Sequence, residues 1–353
     1  MKRKATDGNS RATADLMSLA EIVERFSTKK VLLFGDFVAD DFQYGEITRV
    51  SREAPVLILR HRETHLVPGG GANAANNLAA LGARVSAITI VGDDAAGDAL
   101  IRYFRDRRMD VAGIIRAKGW KTPTKTRFLA GWAHTVGQQV LRVDREPDLP
   151  PAEKARRSLQ AKLEAKAREA DALAISDYGF GTVSSDAVRS VVKKLRKNIP
   201  VTMDARHHLY AYAGTGITTA TPNEGELETL HHTTIGRDAA ELDRCGKETL
   251  ARMKLRALLV TRGKDGMALF EGAGDRPVHI PVRGSDEAVD VTGAGDTVLA
   301  AFTLALACAA SFLEAAHVAN IAGGLVVMKR GTATVTREEL LRAIREDISG
   351  ASS

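Results

Sequence analysis

The chain has 353 residues, 44% of them hydrophobic, with two cysteines and a formal net charge of +6. That length passes the size at which a single core usually stops growing, so one large domain plus an extension is expected, not a small scaffold held by disulfides. Lys and Arg alternate with acids, most densely from Glu153 to Glu169, the pattern of a solvated helix face, so no nucleic-acid partner is expected. The modest positive field would still draw in anionic substrates. Cys245 and Cys308 lie in expected helices with no zinc spacing, which points to two buried thiols. The apolar run from Val298 to Cys308 is too short to span a bilayer, and residues 1–11 lack the apolar core of a signal peptide. A cytoplasmic protein without a membrane partner is therefore expected.

In chain order, residues 1–14 are polar and expected to be disordered, and a domain over 15–349 follows. A short helix precedes a strand at Val31 to Phe34. Pro68-Gly69-Gly70-Gly71-Ala72-Asn73 then opens an Ala-rich helical run ending at Leu81-Gly82. Arg84 to Val91 reads as a strand and Asp94 to Arg107 as a helix. Ala172 to Ser176, Val201 to Asp204 and Leu258 to Thr261 read as further buried strands, each beside helical sequence. Helices are also expected over Leu313 to Met328 and Arg337 to Ile348. This alternation predicts an α/β fold with a parallel sheet covered by helices on both faces. Two stretches break the rhythm: about 42–60 and 110–144 carry short β-branched or alternating runs such as Pro55 to Leu59 and Thr124 to Leu129.

The most informative segment is Asp290-Val-Thr-Gly-Ala-Gly-Asp296, which runs directly into the apolar stretch from Thr297 to Cys308. Gly293 and Gly295 let the backbone approach a ligand, and the free N–H groups of the following helix would hold an anionic phosphate. Asp296 at the same helix start cannot bind that anion, so it is either a proton acceptor for a nearby hydroxyl or a plain helix cap. The second glycine-rich start at Gly69–Gly71 suits a second substrate. Neither segment is a P-loop, and the strand before Gly35 is not followed by a dinucleotide fingerprint.

Together with Asn223-Glu-Gly-Glu226 and Thr261-Arg-Gly-Lys-Asp-Gly266, these segments form four collinear motifs, and on them the chain resembles the ribokinase-like (PfkB-type) carbohydrate kinases from about Lys30 to Arg345. Within that family, Gly35-Asp36-Phe-Val-Ala-Asp40, Tyr44-Gly45 and Ser51-Arg52-Glu53-Ala54-Pro55-Val56 look most like the kinases that phosphorylate O1 of D-glycero-D-manno-heptose 7-phosphate in ADP-heptose synthesis. The resemblance implies a ribokinase-like fold in which the two irregular stretches form a small β-sheet lid over the sugar, with a homodimer through that lid. It implies ATP and Mg²⁺, with a possible monovalent-cation site near Asp290 and Gly331. Asp296 is the implied proton acceptor, with the N–H groups of Gly293, Ala294 and Gly295 around the transferred phosphoryl group.

Asp40 matches the family's sugar-hydroxyl acceptor and Asp36 lies nearer the strand end, while Gly69, Gly70, Gly71 and Asn73 complete the implied sugar side. Asn73 could equally cap its helix. Asn223 and Glu226 match the family's Asn-x-x-Glu, whose acid organises Mg²⁺ through water; Glu224 and Glu228 read as surface charges. Thr261, Gly263 and Gly266 are implied nucleotide contacts, Lys264 is undecided, and Asn320 is either near the base or bonded locally. A distal phosphate on the sugar calls for basic side chains, for which Arg49, Arg52, Lys125, Arg127, Arg142 and Arg206 are available. Asp204-Ala-Arg206-His207-His208 stands where the heptose subgroup has Asp-Pro-Lys. No Gly-x-x-Asp-x-x-His-x-Gly-His pattern follows, so a stand-alone kinase is expected.

Overall fold

A computed structural model describes residues 16–131, 138–272, 276–283 and 288–351. In chain order the strands are β1 (Lys30–Gly35), β2 (Phe37–Val50), β3 (Leu57–Gly70), β4 (Arg84–Gly92), β5 (Ile114–Ala117), β6 (Thr124–Gly131), β7 (Gln138–Arg145), β8 (Ala172–Asp177), β9 (Val201–Ala205), β10 (Thr219–Ala220), β11 (Ala257–Thr261), β12 (Met267–Glu271) and β13 (Val278–Ile280). The helices are α1 (16–24), α2 (Gly71–Ala80), α3 (Ala95–Asp106), α4 (Glu153–Ala167), α5 (Ser185–Val192), α6 (Glu224–His231), α7 (Ala239–Met253), α8 (Ala294–Ala307), α9 (Phe312–Val326) and α10 (Arg337–Ala351). The segment expected to be disordered at 1–14 lies outside the described residues.

Nine strands form the central sheet in the order β13-β12-β11-β10-β9-β8-β1-β4-β5. From β11 to β5 every pairing is parallel, so the helices between strands must cross over the faces. In β1, Val31 and Leu33 enter one apolar core while Leu32 and Phe34 enter the other, which is why the strand reads as an unbroken apolar run. One core is filled by side chains of α1, α2, α3, α8, α9 and α10, such as Val23, Leu78, Phe104, Phe302 and Ile344; the other by α4, α5, α6 and α7 through Leu159, Val188, Leu227 and Leu250. Both cysteines are buried and free.

Two departures from the expected layout have physical reasons. β12 and β13 close the sheet antiparallel, because the short turn from Thr261 to Met267 is too brief for the crossover a parallel neighbour requires. β5 joins the central sheet beside β4, so the irregular stretch 110–144 is shared between the two sheets. The second sheet has the order β3-β2-β6-β7, with β2 and β6 parallel and the outer pairs antiparallel. β2 begins two residues after β1 ends, which puts Asp40 on the small sheet. Among the described residues, no helix is long and apolar enough to cross a membrane.

Candidate active site

α8 starts behind Gly293, whose φ of +76° lies in the left-handed region that glycine adopts without strain. A Cβ on Gly295 would meet nothing within 4 Å, so the first turn presents its backbone to open space. The Ala294 N–H is spent on the Val291 carbonyl, while those of Gly293, Gly295 and Asp296 donate to no group among the described residues. With the helix dipole behind them, these donors make the space a receptor for an anion. From Asp296 to Ala305 the helix is buried on every residue, which holds this start rigidly against the sheet.

Asp296 is 4% exposed, and burial pushes its carboxyl from 3.8 up to about 7. Asn73 Nδ2 opposes the rise by donating to Oδ2 at 2.8 Å, the charge of Asp40 adds to it, and the Tyr178 hydroxyl, 3.4 Å from Oδ1, opposes it. A helix start by itself lowers carboxylate basicity; here desolvation outweighs the dipole. The result is a base matched to proton abstraction at neutral pH.

The second glycine-rich helix start is built differently. Gly71 N–H donates to the Asp36 carbonyl at 2.9 Å, and a Cβ there would stand 2.9 Å from the same oxygen, so the chain itself fills this helix start. Gly70 is the cap residue of α2, and Asn73 is fully buried inside the helix. Asn73 therefore does not cap α2; its side chain holds Asp296. One turn on, Asn77 Nδ2 donates to Asn73 Oδ1 at 3.1 Å and Asn77 Oδ1 accepts from Thr297 Oγ1 at 2.9 Å, a polar ladder that pins α2 to α8.

A cavity of about 150 Å³ lies beside Asp296, between the small sheet and the carboxyl ends of the central strands. Asp40, Gly69, Gly70, Lys125, Arg127, Arg142, Arg206, Gly293 and Asp296 all line it. Asp40 is 4% exposed; burial raises its carboxyl and Arg127, 2.5 Å from Oδ1, opposes the rise. A Cβ on Gly69 would lie 2.5 Å from Asp40 Oδ2, so glycine there leaves this carboxylate room. Lys125 Nζ and Arg142 Nε stand 3.2 and 2.9 Å from Asp144. Arg206 has no ion-pair partner among the described residues and lies 5.9 Å from the Tyr178 ring centroid. Arg49 and Arg52 are exposed and outside the cavity.

Asp36 has another job than the one expected of it. Its carboxylate accepts the N–H groups of Tyr178 at 2.9 Å, Phe180 at 3.0 Å and Thr182 at 3.1 Å, so it fastens the loop after β8 and does not line the cavity beside Asp296. Asp290 likewise accepts from Thr292 and Gly331 N–H, both at 2.9 Å, leaving neither oxygen free of a donor.

On the other side of the α8 start, a second cavity of about 170 Å³ is lined by Thr261, Gly263, Lys264, Gly266, Ala294, Gly295 and Asn320, with apolar Met267, Val298 and Val327. Asn320 Nδ2 donates to the Pro281 carbonyl at 2.8 Å, a bond between residues 39 apart that ties α9 to the segment after β13. The two cavities meet at the first turn of α8, with Gly293 and Asp296 on one side and Ala294 and Gly295 on the other.

Asn223 and Glu226 line neither cavity. They form a capping box at the start of α6, each side chain bonding the other's N–H at 2.9 Å. Glu224 pairs with Arg262 at 2.6 Å, and Glu228 accepts the Ile235 N–H at 2.6 Å, so neither is a free surface charge. Burial raises the carboxyls of Asp204 and Glu226, the charge of Glu226 adds to the rise at Asp204, and Arg206 opposes both rises. Tyr178 lines the cavity beside Asp296, and Asn77 and Asp144 bond residues around it; the motifs reveal none of the three. For Tyr178 the usable signal was Asp177-Tyr-Gly179 directly after a buried strand, at the end of the sheet where open α/β folds bind ligands.

A mostly parallel sheet, a small covering sheet and a helix start shared by a polar and a more apolar cavity define a phosphotransferase acting on a sugar hydroxyl. The chain belongs to the pfkB family of carbohydrate kinases, whose family model matches residues 28–339. It is 37% identical over 331 residues, 94% of its length, to the Bifunctional protein HldE of Trichlorobacter lovleyi, and 39% identical over 311 residues, 88% of its length, to that of Geobacter metallireducens. It spans 66% and 62% of the length of these two relatives. In fold it is similar to Arabidopsis thaliana ribokinase complexed with ribose and ATP (TM-score 0.68, 20% identity, 90% of this chain and 99% of that one). It is also similar to Escherichia coli phosphofructokinase-2 in complex with potassium (TM-score 0.71, 20% identity, 92% and 99%).

Proposed function

We propose that the protein transfers the γ-phosphoryl group of ATP to O1 of D-glycero-β-D-manno-heptose 7-phosphate, giving the 1,7-bisphosphate used in ADP-heptose synthesis. The observation that carries the acceptor's class is the convergence of Lys125, Arg127, Arg142 and Arg206 on the cavity beside Asp296. Arg127 is spent on Asp40, but Arg206 has no carboxylate partner, so the cavity holds positive charge in excess of its own acids. The named HldE relatives and the resemblance to heptose 7-phosphate kinases support the particular sugar.

In this mechanism the acceptor lies between the small sheet and α8, with Asp40 orienting a hydroxyl and Asp296 facing O1. As O1 bonds to the γ-phosphorus, the bond to the β–γ bridging oxygen breaks and the O1 proton passes to Asp296. The free N–H groups of Gly293, Gly295 and Asp296 stabilise the transferred group. A loose transition state needs little prior deprotonation, so positioning and charge stabilisation carry most of the rate.

Among the described residues no group of three or more His, Cys, Asp or Glu side chains could hold a metal ion. Glu226 has one oxygen bonded to the Asn223 N–H, and its charge helps to raise the carboxyl of Asp204. These residues fit an Mg²⁺ that keeps most of its water and takes the rest of its ligands from phosphates, where it would neutralise charge. A kinase domain over 15–349, with the small sheet as a lid built from insertions, completes the proposal. Exposed Leu57, Val140 and Leu141 on that sheet, with exposed Val56 just before β3, support a homodimer through it.

The test is coupled ATP turnover with Mg²⁺ across heptose 7-phosphate, sedoheptulose 7-phosphate, fructose 6-phosphate, ribose, fructose and adenosine. Selective turnover of the heptose phosphate with product at O1 is expected, and preference for an unphosphorylated acceptor would overturn it. Arg206→Met should raise the KM for the phosphorylated acceptor about tenfold or more, the worth of one charge-assisted bond.

A further inference from the structure

We propose that Asp144 is a positioning residue for the phosphorylated acceptor, holding Lys125 and Arg142 over the sugar cavity without itself touching substrate. The inference rests on the assignment of a phosphate-bearing acceptor made above.

Strands β6 and β7 pair so that Lys125 lies directly opposite Asp144 and Arg127 directly opposite Arg142. Residues two apart on a strand share a face, so these four side chains stand on one face of the hairpin. Three of them are cations, and all three line the cavity, whereas Asp144 does not. Like charges directly opposite each other destabilise a ladder. The Arg127–Arg142 pair is tolerated because each guanidinium has its own carboxylate: Asp40 lies 2.5 Å from Arg127 and Asp144 lies 2.9 Å from Arg142. Asp144 also takes Lys125 at 3.2 Å, while Glu146 reaches that amine only at 3.9 Å.

Lys125 is 13% exposed and Asp144 26%, so this pair is held more firmly than a freely exposed ion pair. Burial works against the charge on Asp144, but Lys125 and Arg142 together hold its carboxyl below the usual range, and it stays ionised at neutral pH. An ammonium has three donors and a guanidinium five, and one carboxylate occupies only part of that set. The remaining donors, fixed in direction by Asp144, are available to a phosphate. Without the bridge, two long side chains would have to be ordered by substrate at each binding event, and the loss would fall on acceptor affinity.

The experiment measures KM and kcat for heptose 7-phosphate, and KM for ATP, in wild type, Asp144→Asn, Asp144→Glu, Lys125→Met and the double variant Lys125→Met/Asp144→Asn. Asp144→Asn keeps the side-chain volume, and the expected result is a rise in acceptor KM of about tenfold, with kcat and the KM for ATP changing far less. Asp144→Glu should recover part of the loss. Lys125→Met should weaken acceptor binding strongly in wild type and only slightly when Asp144 is already Asn, because the two act as one unit. An unchanged or lowered acceptor KM in Asp144→Asn, an equal fall in kcat, or full additivity in the double variant would overturn the assignment. Wild-type enzyme that ignores heptose 7-phosphate would instead defeat the acceptor proposal, so the two failures are distinguishable.

Discussion

The helix starts of α2 and α8 are both glycine-rich, and they use their glycines in opposite ways. At α2 the space beside Gly71 is filled by the Asp36 carbonyl, and its first N–H is already bonded. At α8 the space beside Gly295 is open and three N–H groups have no partner among the described residues. A glycine can thus serve close packing of chain on chain or close approach of chain to ligand, and the neighbouring atoms decide which. α2 contributes to the chemistry through Asn73, which reaches across to the carboxylate that α8 carries.

That contrast can be broken by substitution. Gly295→Val places a side chain in the open space at α8 and should cut turnover on the order of a hundredfold by displacing the transferred group, with an unchanged melting temperature; this is checked by steady-state kinetics beside calorimetry. Gly71→Ala should do the reverse. Its Cβ meets backbone, so the protein should lose about 1–3 kcal/mol and melt a few degrees lower, while the correctly folded fraction keeps its turnover.

A smaller effect sharpens the link between the two helices. The Asn73 bond favours the charged form of Asp296, so Asn73→Ala should raise that carboxyl further above about 7. Because the ionised form accepts the proton, activity rises with pH through this value, and the rising limb of kcat/KM should move to higher pH in the variant. Both enzymes see the same substrates, so titration of the phosphates cancels in the comparison. Coincident profiles would remove Asn73 from this role.

The α8 motif was legible because its chemistry is local: two glycines and an acid stand within four residues of one another and open a helix. The alternating strands and the parallel core were legible for the same reason, since each element carries its own pattern. Asn73 and Asp296 are 223 residues apart, and no spacing along the chain predicts that bond. Asp36 and Asp40 look alike in sequence, and only the loop from Tyr178 to Thr182, which supplies three N–H donors, separates a structural carboxylate from one facing a cavity. The direction of β12 was hidden because a short apolar run reads the same in a parallel or antiparallel pairing. The raised basicity of Asp296 needed its burial to be known, since the helix start alone argues the other way.

The most direct test of the account is turnover and ATP affinity of Asp296→Asn measured side by side with wild type. Turnover lowered by about a thousandfold with ATP affinity retained is predicted, because a proton acceptor is lost while the cavity proposed for the nucleotide, on the far side of the α8 start, is untouched. Turnover equal to wild type would contradict Asp296 as the proton acceptor and, with it, the α8 start as the catalytic centre.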